Sequence, residues 1–129
     1  MPVTPASKGL LPDQMIAALA EAGGILSERA FDADQIQPAS LDLRLGKTAF
    51  RVRASFLPGP RTTVATRIEE LKLHQIALTD GAVLETGCVY IVPLLESLAL
   101  PDDIAASANP KSSTGRLDVF TRVIADATR

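Results

Sequence analysis

The chain has no tryptophan, one tyrosine and four phenylalanines, so aromatic residues make up only 4% of its 129 residues. A platform that stacks nucleobases on aromatic rings is therefore not expected. Cysteine and histidine are equally scarce, with Cys88 and His74 the single example of each. One cysteine forms no internal disulfide, in keeping with a reducing compartment. One cysteine and one histidine do not close a zinc site within the chain. Positive charge is not in excess either: 13 Lys+Arg stand against 15 Asp+Glu, for a formal net charge of -2. Binding nucleic acid by charge alone calls for a basic chain, so no nucleic-acid partner is expected. The longest apolar run, residues 88–95, contains Pro93 and falls far short of the roughly twenty residues of a spanning helix. Met1–Pro5 lacks the basic head and apolar core of a secretion signal. The expectation is a cytoplasmic protein without a membrane partner.

What is present suffices for a packed core. Hydrophobic residues make up 47% and charged residues 22%, values that exclude a disordered or collagen-like chain. The length suits one domain or part of one. Residues 1–9, with Pro2, Pro5 and Gly9, read as a flexible arm, and residues 10–129 as the domain. Pro12 and Asp13 suit a helix start. Met15, Ile16, Leu19 and Ala20 form one apolar face, and Gly23-Gly24 suits the helix end. Beyond it the period changes to two. In Ser40–Gly46 three leucines share one face and Ser40, Asp42 and Arg44 the other; Ala49–Phe56 alternates again. Residues 63–73 read as a short helix or a loop with a helical turn. Asp80-Gly81 and Thr86-Gly87 mark turns. Cys88–Leu94 reads as a strand buried on both faces, and Ile104–Ala108 and Leu117–Ala125 as further strands. The expected fold is mainly β with an N-terminal α-helix. No dinucleotide fingerprint or Walker sequence occurs. A strand-like run up to Arg129 would leave an unpaired edge, which implies pairing with another chain or a longer protein.

The densest polar cluster is Asn109–Arg116, with Lys111, Ser112, Ser113, Thr114, Gly115 and Arg116. Hydroxyls and backbone N–H groups bond phosphate oxygens and the two cations supply charge. The same composition also suits a solvated turn capping a short helix. Residues 109–129 hold four cations (Lys111, Arg116, Arg122, Arg129) against Asp118 and Asp126, a local positive excess in an acidic chain. A second cluster is Gln37–Arg44, where Asp42 and Arg44 suit either a site or a structural ion pair on a solvent-facing strand. His74 reads as a surface or half-buried histidine, Cys88 as a small core residue, and Glu96 and Ser97 as loop residues.

Pro38–Gly46 resembles the first motif of the dUTPase/dCTP deaminase superfamily. Leu95–Pro101 resembles the segment before its second motif, and Lys111–Leu117 resembles that second motif, a basic residue followed by Ser-Ser-x-x-Arg. Val119–Asp126 is similar to the strand that follows in dCTP deaminases. Within the superfamily the wording Asn-Pro-Lys-Ser-Ser-Thr-Gly-Arg and the start Leu-Leu-Pro-Asp-Gln most resemble the N-terminal portion of the long bacterial dCTP deaminase type.

The resemblance implies a dUTPase-like β-clip, incomplete at the C-terminus, and a homo-oligomer, either a trimer or a pseudo-trimer. It implies hydrolysis of dCTP to dUTP and ammonia, with Mg²⁺ carried on the triphosphate, no zinc, and dTTP as a possible inhibitor. Lys111 and Ser113 would contact phosphates. Ser112 and Arg116 would position water and polarise the base. The backbone of Val123, Ile124 and Ala125 would read the cytosine edge. Asp42 and Arg44 would be structural or interfacial. Zinc-dependent nucleobase deaminases use His-x-Glu and Pro-Cys-x-x-Cys, which this sequence lacks. The family instead uses a glutamate as general acid and base, at a position beyond Arg129, so the isolated chain is expected to be inactive. Asp126 aligns elsewhere, and Asp118 stands where shorter members carry glycine. The same scaffold also carries dUTP diphosphatases, and a non-catalytic nucleotide-binding or oligomer-forming half is the remaining alternative.

Overall fold

In the computed structural model, which describes residues 8–126 of the chain, Pro12 stands immediately ahead of helix α1 (Asp13–Glu21). Its missing N–H is no loss there, because the first helical N–H groups have no partner within the helix. Asp13 lies in the first turn, where a carboxylate complements the helix dipole. At the other end Gly23 takes φ +85°. Its N–H bonds Ala20 O at 3.2 Å while Gly24 N–H reaches Leu19 O at 2.9 Å. That pair of bonds is the Schellman closure, which needs the left-handed conformation glycine provides.

Among the described residues, seven short strands follow in three antiparallel pieces. β1 (Ile25–Ser27) pairs with β7 (Glu96–Leu98), placing Ser27 opposite Glu96. β2 (Ile36–Gln37) and β3 (Ser40–Leu41) close a hairpin over Pro38-Ala39, and Asp13 N–H donates to Pro38 O at 2.9 Å. β4 (Thr48–Val52) is the middle strand of the largest sheet, between β5 (Lys72–Ala77) and β6 (Val89–Ile91). Helix α2 (Val64–Leu71) leads directly into β5, its first turn capped by Thr63, whose Oγ1 accepts from Thr66 N–H at 3.2 Å. The small core comprises Ile16, Ile25, Ala49, Val52, Phe56 and Ile68. The mainly β reading with an N-terminal helix therefore holds. None of the described helices is long and apolar enough to cross a membrane.

Residues 44–46 run beside 93–95 through Leu95 N–H to Arg44 O at 2.9 Å and Gly46 N–H to Pro93 O at 2.7 Å. A Cβ on Gly46 would lie 2.7 Å from Pro93 O. The glycine is what permits this approach.

Several local expectations are corrected. The Ser40–Gly46 strand is paired only at Ser40–Leu41 and through a Leu45–Leu94 bridge, and its polarity is inverted. Leu43 and Leu45 are exposed while Asp42 and Arg44 are half-buried, because the Arg44 side chain finds acceptors inside and the Asp42 main chain is bonded to buried Gln35. The Ala49–Phe56 strand ends at Val52. Cys88–Leu94 reduces to Val89–Ile91 and is half-buried, since β6 pairs with β4 on one side only. Cys88 is only half-buried and its Sγ sits 3.7 Å from Glu85 Oε2, so it is not a core residue. Ile104–Ala108 and Leu117–Ala125 form no strands, as no ladder partner reaches them among the described residues. Glu96 and Ser97 belong to β7 rather than a loop. Residues 63–73 resolve into α2 and the start of β5, on which His74 is exposed, as expected. Residues 1–7 of the arm, and Arg129, lie outside the described residues.

Candidate functional site

The two polar clusters meet. Lys111 Nζ lies 2.8 Å from Asp42 Oδ2, across 69 residues of sequence. Asp42 is held by its main chain: its N–H donates to Gln35 O at 3.0 Å, and its carbonyl accepts from Gln35 Nε2 at 2.9 Å. Gln35 is only 3% exposed, and its Oε1 accepts from Asp32 N–H at 3.1 Å. Both the oxygen and the nitrogen of this buried side-chain amide thereby have a partner.

Two residues on, Arg44 is the centre of a second network. Its Nη1 donates to Ala30 O at 2.9 Å; its Nη2 donates to Ser27 Oγ at 2.8 Å and to Arg29 O at 3.0 Å. The Glu96 carboxylate takes the Arg44 backbone N–H at 2.6 Å and Nε at 3.4 Å. Asp32 lies 3.6 Å from Nη1 and the Phe31 ring 5.9 Å from the guanidinium carbon. The Glu96 side chain is 1% exposed and that of Arg44 12%. A carboxylate so deeply placed persists because its charge is paired and hydrogen-bonded. Of the readings open for Asp42 and Arg44, the structural ion pair describes Arg44, with Glu96 and Asp32 as partners rather than Asp42.

The Ser-Ser cluster is itself a short helix, α3 (Ser112–Arg116), with Lys111 as the preceding cap residue. Asp118 takes φ +62° beyond it. Asp118 N–H bonds Gly115 O at 3.0 Å and Val119 N–H bonds Thr114 O at 3.3 Å, repeating the closure seen after α1. Aspartate enters this left-handed region more readily than most residues, and glycine most readily of all. Ser112, Ser113 and Arg116 are exposed. Their side chains engage no ion pair or hydrogen bond among the described residues. Val123, Ile124 and Ala125 lie in irregular chain pinned on both sides: Arg122 Nη2 donates to Ser55 Oγ at 2.7 Å, and Asp126 Oδ1 accepts from Val64 N–H at 2.8 Å at the start of α2. Lys111 and the Val123–Ala125 segment are thus fastened to different parts of the domain.

Three hydroxyls, an ammonium and a guanidinium within residues 111–116 suit a phosphate-bearing anion. Among the described residues no group of three or more His, Cys, Asp or Glu is arranged to hold a metal ion. A shallow cleft of about 160 Å³ between Arg51, Arg53, Leu73 and Cys88 contains none of the candidate nucleotide-binding residues, and Arg51 there is neutralised by Glu85 at 3.0 Å. Gln35 and Glu96 are the two buried polar residues of the site's frame; Gln35 falls in no motif, and Glu96 falls in the Leu95–Pro101 segment, where it reads as a loop residue. Its position directly after an apolar run is a further hint of burial.

The family model described as the 2'-deoxycytidine 5'-triphosphate deaminase N-terminal domain matches residues 7–129. A dCTP deaminase of Haemophilus ducreyi is 34% identical over 99 residues, covering 71% of this chain and 51% of that protein. A dUMP-forming dCTP deaminase of Acidothermus cellulolyticus is 35% identical over 115 residues, 87% of this chain and 58% of its own length. The crystal structure of 2'-deoxycytidine 5'-triphosphate deaminase from Agrobacterium tumefaciens superposes with a TM-score of 0.88 at 64% identity, over 92% of this chain and 35% of that one. The chain spans about half the length of these curated relatives, and about a third of the crystallised one. With its ordered motifs, its mainly β architecture and these likenesses, the chain belongs to the family of 2'-deoxycytidine 5'-triphosphate deaminase N-terminal domains.

Proposed function

We propose that this chain is the N-terminal part of an enzyme that hydrolyses dCTP to dUTP and ammonia without zinc, supplying dUTP as a precursor of dTTP. The observation that carries this reading is the meeting of Asp42 and Lys111, which joins the first motif to the Ser-Ser turn. Lys111 and Ser113 bind phosphate oxygens. Ser112 and Arg116 orient the attacking water and stabilise charge developing on the base. The backbone of Val123–Ala125 reads the cytosine edge. The substrate is the magnesium complex of dCTP, with Mg²⁺ held by the phosphates, as is usual for this ion. Proton transfer falls to a glutamate that the family places beyond Arg129, so the isolated chain lacks turnover. The protein works in the cytoplasm as a trimer or pseudo-trimer, and dTTP acts as its inhibitor.

The test is ammonia release from dCTP and Mg²⁺ by the full-length protein, with phosphorus NMR of the products. Intact triphosphate accompanied by ammonia supports the reading; pyrophosphate released from dUTP without ammonia would replace it with a dUTP diphosphatase. A second reading has a specific observation behind it. Relatives named dUMP-forming, from Acidothermus cellulolyticus and a Parafrankia species, are each 35% identical over 87% of the chain. Ammonia and pyrophosphate appearing together from dCTP would favour it. Binding of dCTP with no turnover by the full-length protein would leave only a nucleotide-binding half.

A further inference from the structure

We propose that Asp42 is a positioning residue: its carboxylate docks the Lys111–Arg116 turn onto the domain and sets where the Lys111 ammonium stands. The inference rests on the nucleotide reading above and adds to it a residue that touches no substrate. α3 buries no residue. Its backbone bonds are local, from Gly115 N–H to Lys111 O and from Leu117 N–H to Thr114 O, both 3.1 Å. Within residues 109–116, the side-chain bond to the body of the domain among the described residues is the 2.8 Å contact of Lys111 with Asp42.

The two partners differ in how firmly they are held. The Lys111 side chain is 62% exposed and that of Asp42 28%. Asp42 is clasped at both its N–H and its carbonyl by buried Gln35, and the chain is anchored again two residues later by Arg44. The carboxylate is therefore the fixed member and the ammonium the movable one. Lysine carries its charge on a flexible four-carbon stem, and immobilising that stem costs rotamer entropy. A fixed counter-charge meets part of that cost before a ligand arrives. An ammonium has three N–H donors, so one bond to Asp42 leaves two for phosphate oxygens. An exposed pair contributes little to folding, so its loss loosens the turn and leaves the domain intact.

The experiment uses the full-length protein with Asp42→Ala, Lys111→Ala and the double variant, titrated with dCTP and Mg²⁺. Asp42→Ala is expected to weaken binding about threefold to fivefold, the range of an exposed ion pair, and to have no effect when Lys111 is already alanine. In the ligand-free protein, nitrogen-15 relaxation at Ser112, Ser113 and Gly115 is expected to show greater fast motion in Asp42→Ala and a return toward wild type in Asp42→Glu. Tighter binding in Asp42→Ala, or an equal effect with and without Lys111, would overturn the proposal. So would unchanged binding in Asp42→Ala beside an impaired Lys111→Ala, which leaves the nucleotide reading standing. Unchanged dCTP affinity in both single variants would overturn the nucleotide reading and the positioning role with it.

Discussion

Glu96 accepts two hydrogen bonds from Arg44 across 52 residues of sequence, one from its backbone N–H and one from its guanidinium. The contact fastens the first motif to the β1–β7 ladder, because Glu96 lies opposite Ser27, whose hydroxyl also receives Arg44. Arg44→Met leaves a carboxylate with 1% of its side chain exposed without its cation. The expected loss is about 3–5 kcal/mol, measured by urea unfolding. Arg44→Met with Glu96→Leu should recover only part of this, since the Arg44 N–H then lacks an acceptor, at about 1–3 kcal/mol. A single variant as stable as wild type would show the pair to be dispensable.

Gly46→Ala is expected to destabilise by about 1–3 kcal/mol. The new Cβ would stand 2.7 Å from a backbone oxygen, Pro93 O, which has no rotamer to change. Gly115→Ala is the control: nothing lies within 4 Å of its Cβ position, and alanine in a helix is favoured by roughly 0.5–1 kcal/mol. Thermal melts of the two variants should move in opposite directions.

Asp126 is engaged at the start of α2 through Val64 N–H, the end of a helix where a carboxylate acceptor is favoured. Asp126→Ala is expected to cost about 0.5–1.5 kcal/mol, the net value of one such bond, and Asp126→Asn to cost less because its amide oxygen still accepts. Ammonia release by the full-length Asp126→Asn protein should stay within a few-fold of wild type. A loss of turnover in Asp126→Asn with unchanged stability would instead place this carboxylate in the chemistry.

Lys111→Ala and Arg116→Ala should differ in kind. A charge-assisted hydrogen bond contributes about 1.5–3 kcal/mol, so losing the proposed Lys111 contact to phosphate should raise KM for dCTP about tenfold or more with a smaller change in kcat. Arg116→Ala should abolish measurable ammonia release while dCTP binding persists. Steady-state kinetics beside calorimetry separates the two, and an active Arg116→Ala enzyme would remove that residue from its assigned role.

Where structure follows from neighbouring residues, the sequence is readable. Pro12, Asp13 and the Gly23-Gly24 pair mark both ends of α1, and Lys111–Arg116 stands out by composition alone. Partner-dependent features are not readable in this way. Leu41, Leu43 and Leu45 give the right period in Ser40–Gly46 and the wrong sense, because Arg44 finds acceptors inside on Ser27, Arg29, Ala30 and Glu96. Leu117–Ala125 has strand-forming residues, yet a strand needs a neighbour, and the bonds of Arg122 and Asp126 go to Ser55 and Val64 instead. Glu96 meets its partner Arg44 across 52 residues, and Gln35 meets Asp32 and Asp42 through a folded loop, so neither role shows as a periodic pattern.

Because α3 buries no side chain, substitutions in the proposed phosphate-binding turn are separable from folding. Substitutions on outward-facing residues ordinarily change stability by no more than about 0.5 kcal/mol. Kinetic effects measured at Ser112, Ser113 and Arg116 can therefore be taken at face value, without first correcting for the fraction of protein that remains folded.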